Sequence, residues 1–288
     1  MKNLIYLLLL SMTIPSCKKE EARQVNQYTI EQFYTNTRFE GGTFSADETR
    51  LLVGSDETGI FNLYEITLAD GAKKQLTTST VESYYPVDYV PGMSALIYNA
   101  DKGGNEIDHL YLLEDNGKTT DLTPGENNKV SFFKWSEDKK SMFYISNIRD
   151  PKYVDVYKMN IGEWIPTLFY ENKSGLDVNE ISDDEKTLVV SKTVTTSENE
   201  LYLVNRETGT QTELSLPDQK GRYGVSGISK DSKYVFYLTD GGKEFTYLVQ
   251  YDMNSGERKV LYETTWDVMY TFLSEKETYR VIAINEDG

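Results

Sequence analysis

A repeat with a period of about 46 residues limits what this chain folds into more than any other feature. Six stretches share one form: Phe44–Ser55 (FSADETRLLVGS), Tyr89–Ala100 (YVPGMSALIYNA), Trp135–Ser146 (WSEDKKSMFYIS), Ile181–Lys192 (ISDDEKTLVVSK), Ile228–Thr239 (ISKDSKYVFYLT) and Leu273–Ile284 (LSEKETYRVIAI). Each is an apolar residue, a polar turn of Ser or Pro with Asp, Glu or Gly, and then an apolar or alternating run. The second position falls at Ser45, Val90, Ser136, Ser182, Ser229 and Ser274, so the intervals are 45, 46, 46, 47 and 45 residues. A period of that length and regularity marks an array of like supersecondary units, and its strand content points to propeller blades.

The rest of each unit supplies the other strands. A short apolar run precedes the turn as strand A, in VDYV, VSFFKW, VNEI, GVSGI and VMYTFL; the run after the turn is strand B. About twenty residues past the anchor comes a Tyr-bearing strand C, in IFNLYEI, DHLYLL, VDVYKM, ELYLV and YLVQYDM. A tight turn follows at Asp70-Gly71, Asn116-Gly117, Gly162, Gly209 or Gly256, where Gly and Asn tolerate positive φ. Strand D closes the unit in KKQLTT, KTTDLT, WIPTLFY, TQTELS and RKVLYE. Strands such as LVVS and YVFYL lack strict alternation because a blade stacked between two others buries both faces. The expected fold is therefore all-β, with five full four-stranded antiparallel blades over residues 28–288. A sixth unit has strands A and B only, as in a fragment of a seven- or eight-bladed ring. Closure by YTIEQFYTNTRF, residues 28–39, is the alternative.

With 22 Tyr, the composition favours strands. The net charge of −16 is spread along the chain and repels phosphate backbones, which argues against a nucleic-acid partner. MKN followed by LIYLLLLSMTI has the form of a signal peptide over residues 1–16, too short to span a bilayer. IPSC then resembles a lipobox that would make Cys17 a lipid-attachment site. Cys17 is the only cysteine, so no internal disulfide competes for it. Residues 17–27 read as a polar tether, and the expected location is the cell envelope, held to a membrane by that anchor.

EQFYTNTRFEGGTFSADETRLLVGSDETGIFNLYEI, the combination of GNE with LTPGE, and WSEDKKSMFYISNIRDPKYVDVYKM together resemble the propeller part of bacterial prolyl oligopeptidase-family serine peptidases. The likeness lies toward the acylaminoacyl-peptidase and dipeptidyl-peptidase branch. It implies a following α/β-hydrolase domain with a Ser nucleophile on a G-x-S-x-G elbow, then Asp and His, acting on short peptides that the propeller gates. This sequence holds no such elbow. GVSGI at Gly224–Ile228 ends in Ile228 where the motif needs glycine, and Ser226 lies in a strand A. His109, the single histidine, sits in a strand C and precedes Ser226, the wrong order for this hydrolase. No catalytic, metal-ligating or cofactor-binding residue is assigned. A non-enzymatic envelope scaffold like the Tol-system propellers is the competing reading. Loops joining B to C and D to A share one face, and there Arg149 in NIRDP is the candidate contact for substrate or a second domain; the competing role is an ion pair with Asp150 or a neighbouring blade.

Overall fold

The serine of each repeat earns its place in the turn between the first two strands. Its hydroxyl accepts the backbone N–H five residues on, at Arg50, Ser141, Thr187, Tyr234 and Tyr279, over 2.9–3.1 Å. In four turns the same hydroxyl donates to the aspartate two residues later, Ser45 to Asp47, Ser136 to Asp138, Ser182 to Asp184 and Ser229 to Asp231, at 2.6–2.7 Å. These bonds hold one residue of each turn left-handed: Glu48, Lys139, Glu185, Ser232 and Glu277, with φ of 53–60°. The second unit, lacking the serine, turns on Pro91-Gly92, with Gly92 at φ 71°.

A computed structural model describes residues 25–288. Within Met1–Thr37, a unit taken by itself, Ile30–Tyr34 is a short helix, α1, closed by a capping box between Thr29 and Gln32. The signal segment and Cys17 lie outside the described residues, as does most of the tether. Arg38–Gly288 forms the second unit. Its first blade is β1 (Phe39–Phe44), β2 (Arg50–Ser55), β3 (Asn62–Thr67) and β4 (Lys73–Gln75); the second is β5 (Tyr85–Tyr89), β6 (Ala95–Ala100), β7 (His109–Glu114) and β8 (Thr119–Asp121). The third is β9 (Val130–Trp135), β10 (Ser141–Asp150), β11 (Tyr153–Asn160) and β12 (Pro166–Tyr170); the fourth is β13 (Asp177–Ile181), β14 (Thr187–Thr195), β15 (Glu198–Asn205) and β16 (Gln211–Glu213). The fifth is β17 (Tyr223–Ile228), β18 (Tyr234–Thr239), β19 (Tyr247–Asp252) and β20 (Arg258–Tyr262), and β21 (Asp267–Leu273) pairs with β22 (Arg280–Asn285) in the sixth. The result is five four-stranded antiparallel meanders and one two-stranded sheet. Of residues 28–39, Ile30–Tyr34 is helical rather than a strand and Phe39 opens the first blade; among the described residues β22 pairs with β21 alone.

Every inner strand carries a register shift against its partner, for example between Glu40 and Thr43 and between Val268 and Tyr270. Such bulges increase strand twist, which each blade needs to stack on the next. The cores lie between blades. Leu96 and Tyr98 of β6 pack with Leu52 and Leu63 of the first blade, whereas Ile97, between them, packs with Met142 and Tyr144 of the third. Successive strand-B residues thus face different cores, which is why the sequence does not alternate. Phe143 and Val156 join Ile181, Leu188 and Val190 in the next core, and Val189 and Leu201 join Val235 and Tyr237 in the one after. Polar bonds repeat the linkage nearer the axis. Asp88 accepts from Thr43 Oγ1 at 2.7 Å and from Trp135 Nε1 at 2.8 Å, tying three blades together, and Lys134 meets Glu180 of the fourth blade at 2.9 Å.

Candidate functional site: the loop face

The B–C and D–A connections lie together at one end of the blades, and buried polar groups at the head of each strand C fix them. Three such residues occupy equivalent places, opposite Ser55, Ala100 and Ser146 of the adjoining strand B: Asn62, His109 and Asp155. Asn62 Oδ1 accepts from Thr77 Oγ1 at 2.9 Å and from the Ser79 N–H at 2.7 Å, while its amide donates to the Ser79 carbonyl at 3.0 Å. His109 lies 2.8 Å from Asp121 Oδ2 through Nδ1 and 3.0 Å from the Gly125 carbonyl through Nε2. Asp155, fully buried, accepts the Asn172 N–H at 2.8 Å. Each pins the following D–A loop, so that the loop's backbone groups find partners away from water.

His109 is thereby accounted for. Both ring nitrogens are occupied, which leaves none to act as base toward a nucleophile. Gly125, in the LTPG sequence, adopts φ 149°, and a Cβ there would stand 2.9 Å from that of Asn128; glycine lets the loop close over the histidine. Ser226 sits within β17, inside an antiparallel sheet rather than on a strand-to-helix turn.

Blades three and four stand taller than the rest on this face. Strands β10 and β14 have 10 and 9 residues, against 6 in β2, β6 and β18. Arg149 lies near the top of β10. Its nearest partner is not Asp150 but Asp155 of the same hairpin, through Nε at 2.6 Å and Nη2 at 2.8 Å; Nη2 also reaches the Asn172 carbonyl at 3.0 Å, and Nη1 lies 3.8 Å from Glu171 in the loop that leads to the fourth blade. Hydrogen bonding to Asp155 raises the guanidinium pKa above its ordinary value. The Asp150 carboxylate instead caps the Lys152 N–H at 2.9 Å.

One residue of the face is not signalled by any sequence motif. Arg222 lies at the end of the D–A loop entering the fifth blade, beside a cavity of ≈ 670 Å³ bordered by blades four to six. Its backbone N–H donates to Asp240 Oδ1 at 2.7 Å. The equivalent residue of the first blade, Arg38, makes the same backbone bond to Asp56, also 2.7 Å. Aligning the repeats on Ser45 and Ser229 would have brought the two arginines into register.

These features define a class, a propeller whose blades present ordered loops but hold no hydrolytic residue pair among the described residues. The family described as "Prolyl oligopeptidase, N-terminal beta-propeller domain" matches residues 87–288, and the chain belongs to it. A dipeptidyl aminopeptidase BIII of Pseudoxanthomonas mexicana is 24% identical over 80% of this chain, and the match spans 34% of that protein's length. A prolyl endopeptidase structure superposes with a TM-score of 0.63 at 16% identity, over 87% of this chain and 40% of the other. A putative TolB from Agrobacterium tumefaciens gives 0.50 at 20% identity, over 78% and 80% of the two chains. These likenesses in structure show a shared fold.

Proposed function

We propose that this chain is the substrate-gating propeller of a serine peptidase acting on short peptides, with acyl transfer carried out by an α/β-hydrolase domain of a longer protein. One observation carries the reading: the peptidase-family propeller domain matches 87–288, while the dipeptidyl aminopeptidase relative is matched over only 34% of its length. The ordered loops and the two tall hairpins suit a face that sorts peptides or seats a second domain, since recognition resides on loops held by a rigid scaffold. The chain itself is expected to take up no fluorophosphonate label and to hydrolyse no peptide ester. The product of the complete gene is expected to do both. A complete product that does neither would replace the peptidase reading with that of an envelope binding scaffold, the role the TolB-like fold also accommodates.

We further propose export and lipid attachment at Cys17, supported by the basic start, the apolar run and the unpaired cysteine at its end. Cells given a clickable fatty acid should label the protein, and Cys17→Ser should abolish the label and move the protein to the soluble fraction. Label retained by that variant would rule the anchor out.

A further inference from the structure

The seven described arginines differ in what their side chains do. Arg38, Arg50 and Arg149 meet carboxylates, Arg206 and Arg258 meet backbone carbonyls, and Arg280 stacks on Phe236 with its guanidinium carbon 4.0 Å from the ring centre. Arg222 alone has a guanidinium with no hydrogen-bond, ionic or aromatic partner among the described residues. Arg222 is exposed, in a chain of net charge −16.

Its backbone, by contrast, is clamped on both sides. The Arg222 N–H is held by Asp240; the neighbouring Gly221 carbonyl accepts from Asn199 N–H at 3.1 Å, and Tyr223 N–H donates to Asn199 Oδ1 at 2.7 Å. The surrounding packing leaves no slack: a Cβ on Gly221 would come within 2.3 Å of Asp240 Oδ1, and one on Gly241 within 2.7 Å of the Gln219 carbonyl. The first blade shows what the same clamp permits. There Arg38 Nε folds back onto the clamping carboxylate, 2.8 Å from Asp56 Oδ2. Arg222 has the same acid at the same backbone position and makes no such bond.

The cavity that Arg222 lines is faced by small polar side chains, Asn179, Ser191, Thr193, Thr195 and Thr246. Three carboxylates border it as well, Glu198, Asp240 and Asp267, and each is held by a neighbour. Asp240 Oδ1 holds Arg222 N–H, Asp267 Oδ1 accepts Thr246 N–H at 2.9 Å, and Glu198 lies 3.5 Å from Lys220. To these Arg222 adds an exposed planar cation with five donors on a fixed backbone, among hydroxyls able to complete an anion's shell. We propose that this cavity is a carboxylate subsite, with Arg222 as the residue that binds the carboxylate of a short peptide. The proposal rests on the peptide-sorting reading of this face.

Isothermal titration of the full chain tests it with three peptides: an acetylated tri-alanine with a free carboxyl terminus, the same peptide amidated, and an amidated peptide with glutamate in place of one alanine. The free-carboxyl peptide is expected to bind about tenfold or more tightly than its amide, the effect of one charge-assisted bidentate contact. Arg222→Gln should abolish that difference while leaving the melting temperature unchanged, because the side chain supports nothing else. Recovery of affinity by the glutamate peptide would identify a side-chain carboxylate as the ligand, and its absence the chain terminus; either supports the subsite. Equal binding of all three, a preference surviving Arg222→Gln, or no binding by any would overturn it. A complete gene product without peptidase activity would sink the peptidase reading while leaving a measured carboxylate preference intact. A lost preference in an active peptidase would do the reverse.

Discussion

Asp47 shows what one residue contributes to a repeated turn. Hydrogen bonds from the Ser45 and Thr49 hydroxyls and the Thr49 N–H favour its ionised form and hold its pKa at about 2. Asp138 is lowered in the same way, with the Ser136 hydroxyl as the largest cause. A carboxyl depressed on folding adds stability above its unfolded pKa of roughly 3.9, and that stability is lost as pH falls through the folded value. Asp47→Asn should therefore melt below the parent chain near neutral pH, and the two should converge as pH falls toward about 2. An equal gap in melting temperature at both ends of the range would show that the charge on Asp47 contributes nothing. The sequence made this turn legible because its parts lie within five residues. It hid Arg222, whose meaning depends on Asp240, eighteen positions on, and on a side chain that fails to do what Arg38 does.

At the level of strands and hairpins, pattern alone located the second, third and fourth strands of the five complete blades, because their apolar residues are paced by the turns. It did not reveal β1. Phe39–Phe44 carries a Gly41-Gly42 pair at φ 70° and 155° and is mostly exposed, so no apolar run announces it. Nor did it reveal the pins at the heads of strands β3, β7 and β11, where Asn, His and Asp do one job with different donors. Arg149 belongs to this level. Its fork joins the two strands of the tallest hairpin to the loop at Asn172, over a carboxylate that is fully buried at Asp155. Removing the guanidinium strands that buried charge, one of the costlier changes a protein meets. Arg149→Ala is expected to lower the melting temperature by several degrees and to open the loop at 150–153 to limited proteolysis. Unchanged melting and cleavage would return the guanidinium to the ligand-binding role that its position in NIRDP implied.

At the largest scale, Arg38–Gly288 is a stack in which each core belongs to two neighbouring blades, so its stability approximates a sum of units and interfaces. Inner units have an interface on each side. The two-stranded unit at β21 and β22 packs on the fifth blade through contacts such as Arg280 on Phe236, and leaves aromatic residues open: Tyr270, Phe272 and Tyr279 are each about half or more exposed, at 54%, 49% and 73%. In the fourth blade Leu188, Val189 and Val190 are completely buried, and β14 is bonded on both edges. Local opening costs least where few apolar contacts and one bonded edge must be given up. Hydrogen exchange on this chain, followed by mass spectrometry, should release the amides of 280–285 well before those of 187–191. The order should not depend on protein concentration, since it arises within one molecule. Equal protection of the two segments would mean that the exposed aromatic residues are covered in solution, and dilution separates the causes: protection lost on dilution assigns the cover to a second copy, while protection that persists removes the unit-by-unit account of stability.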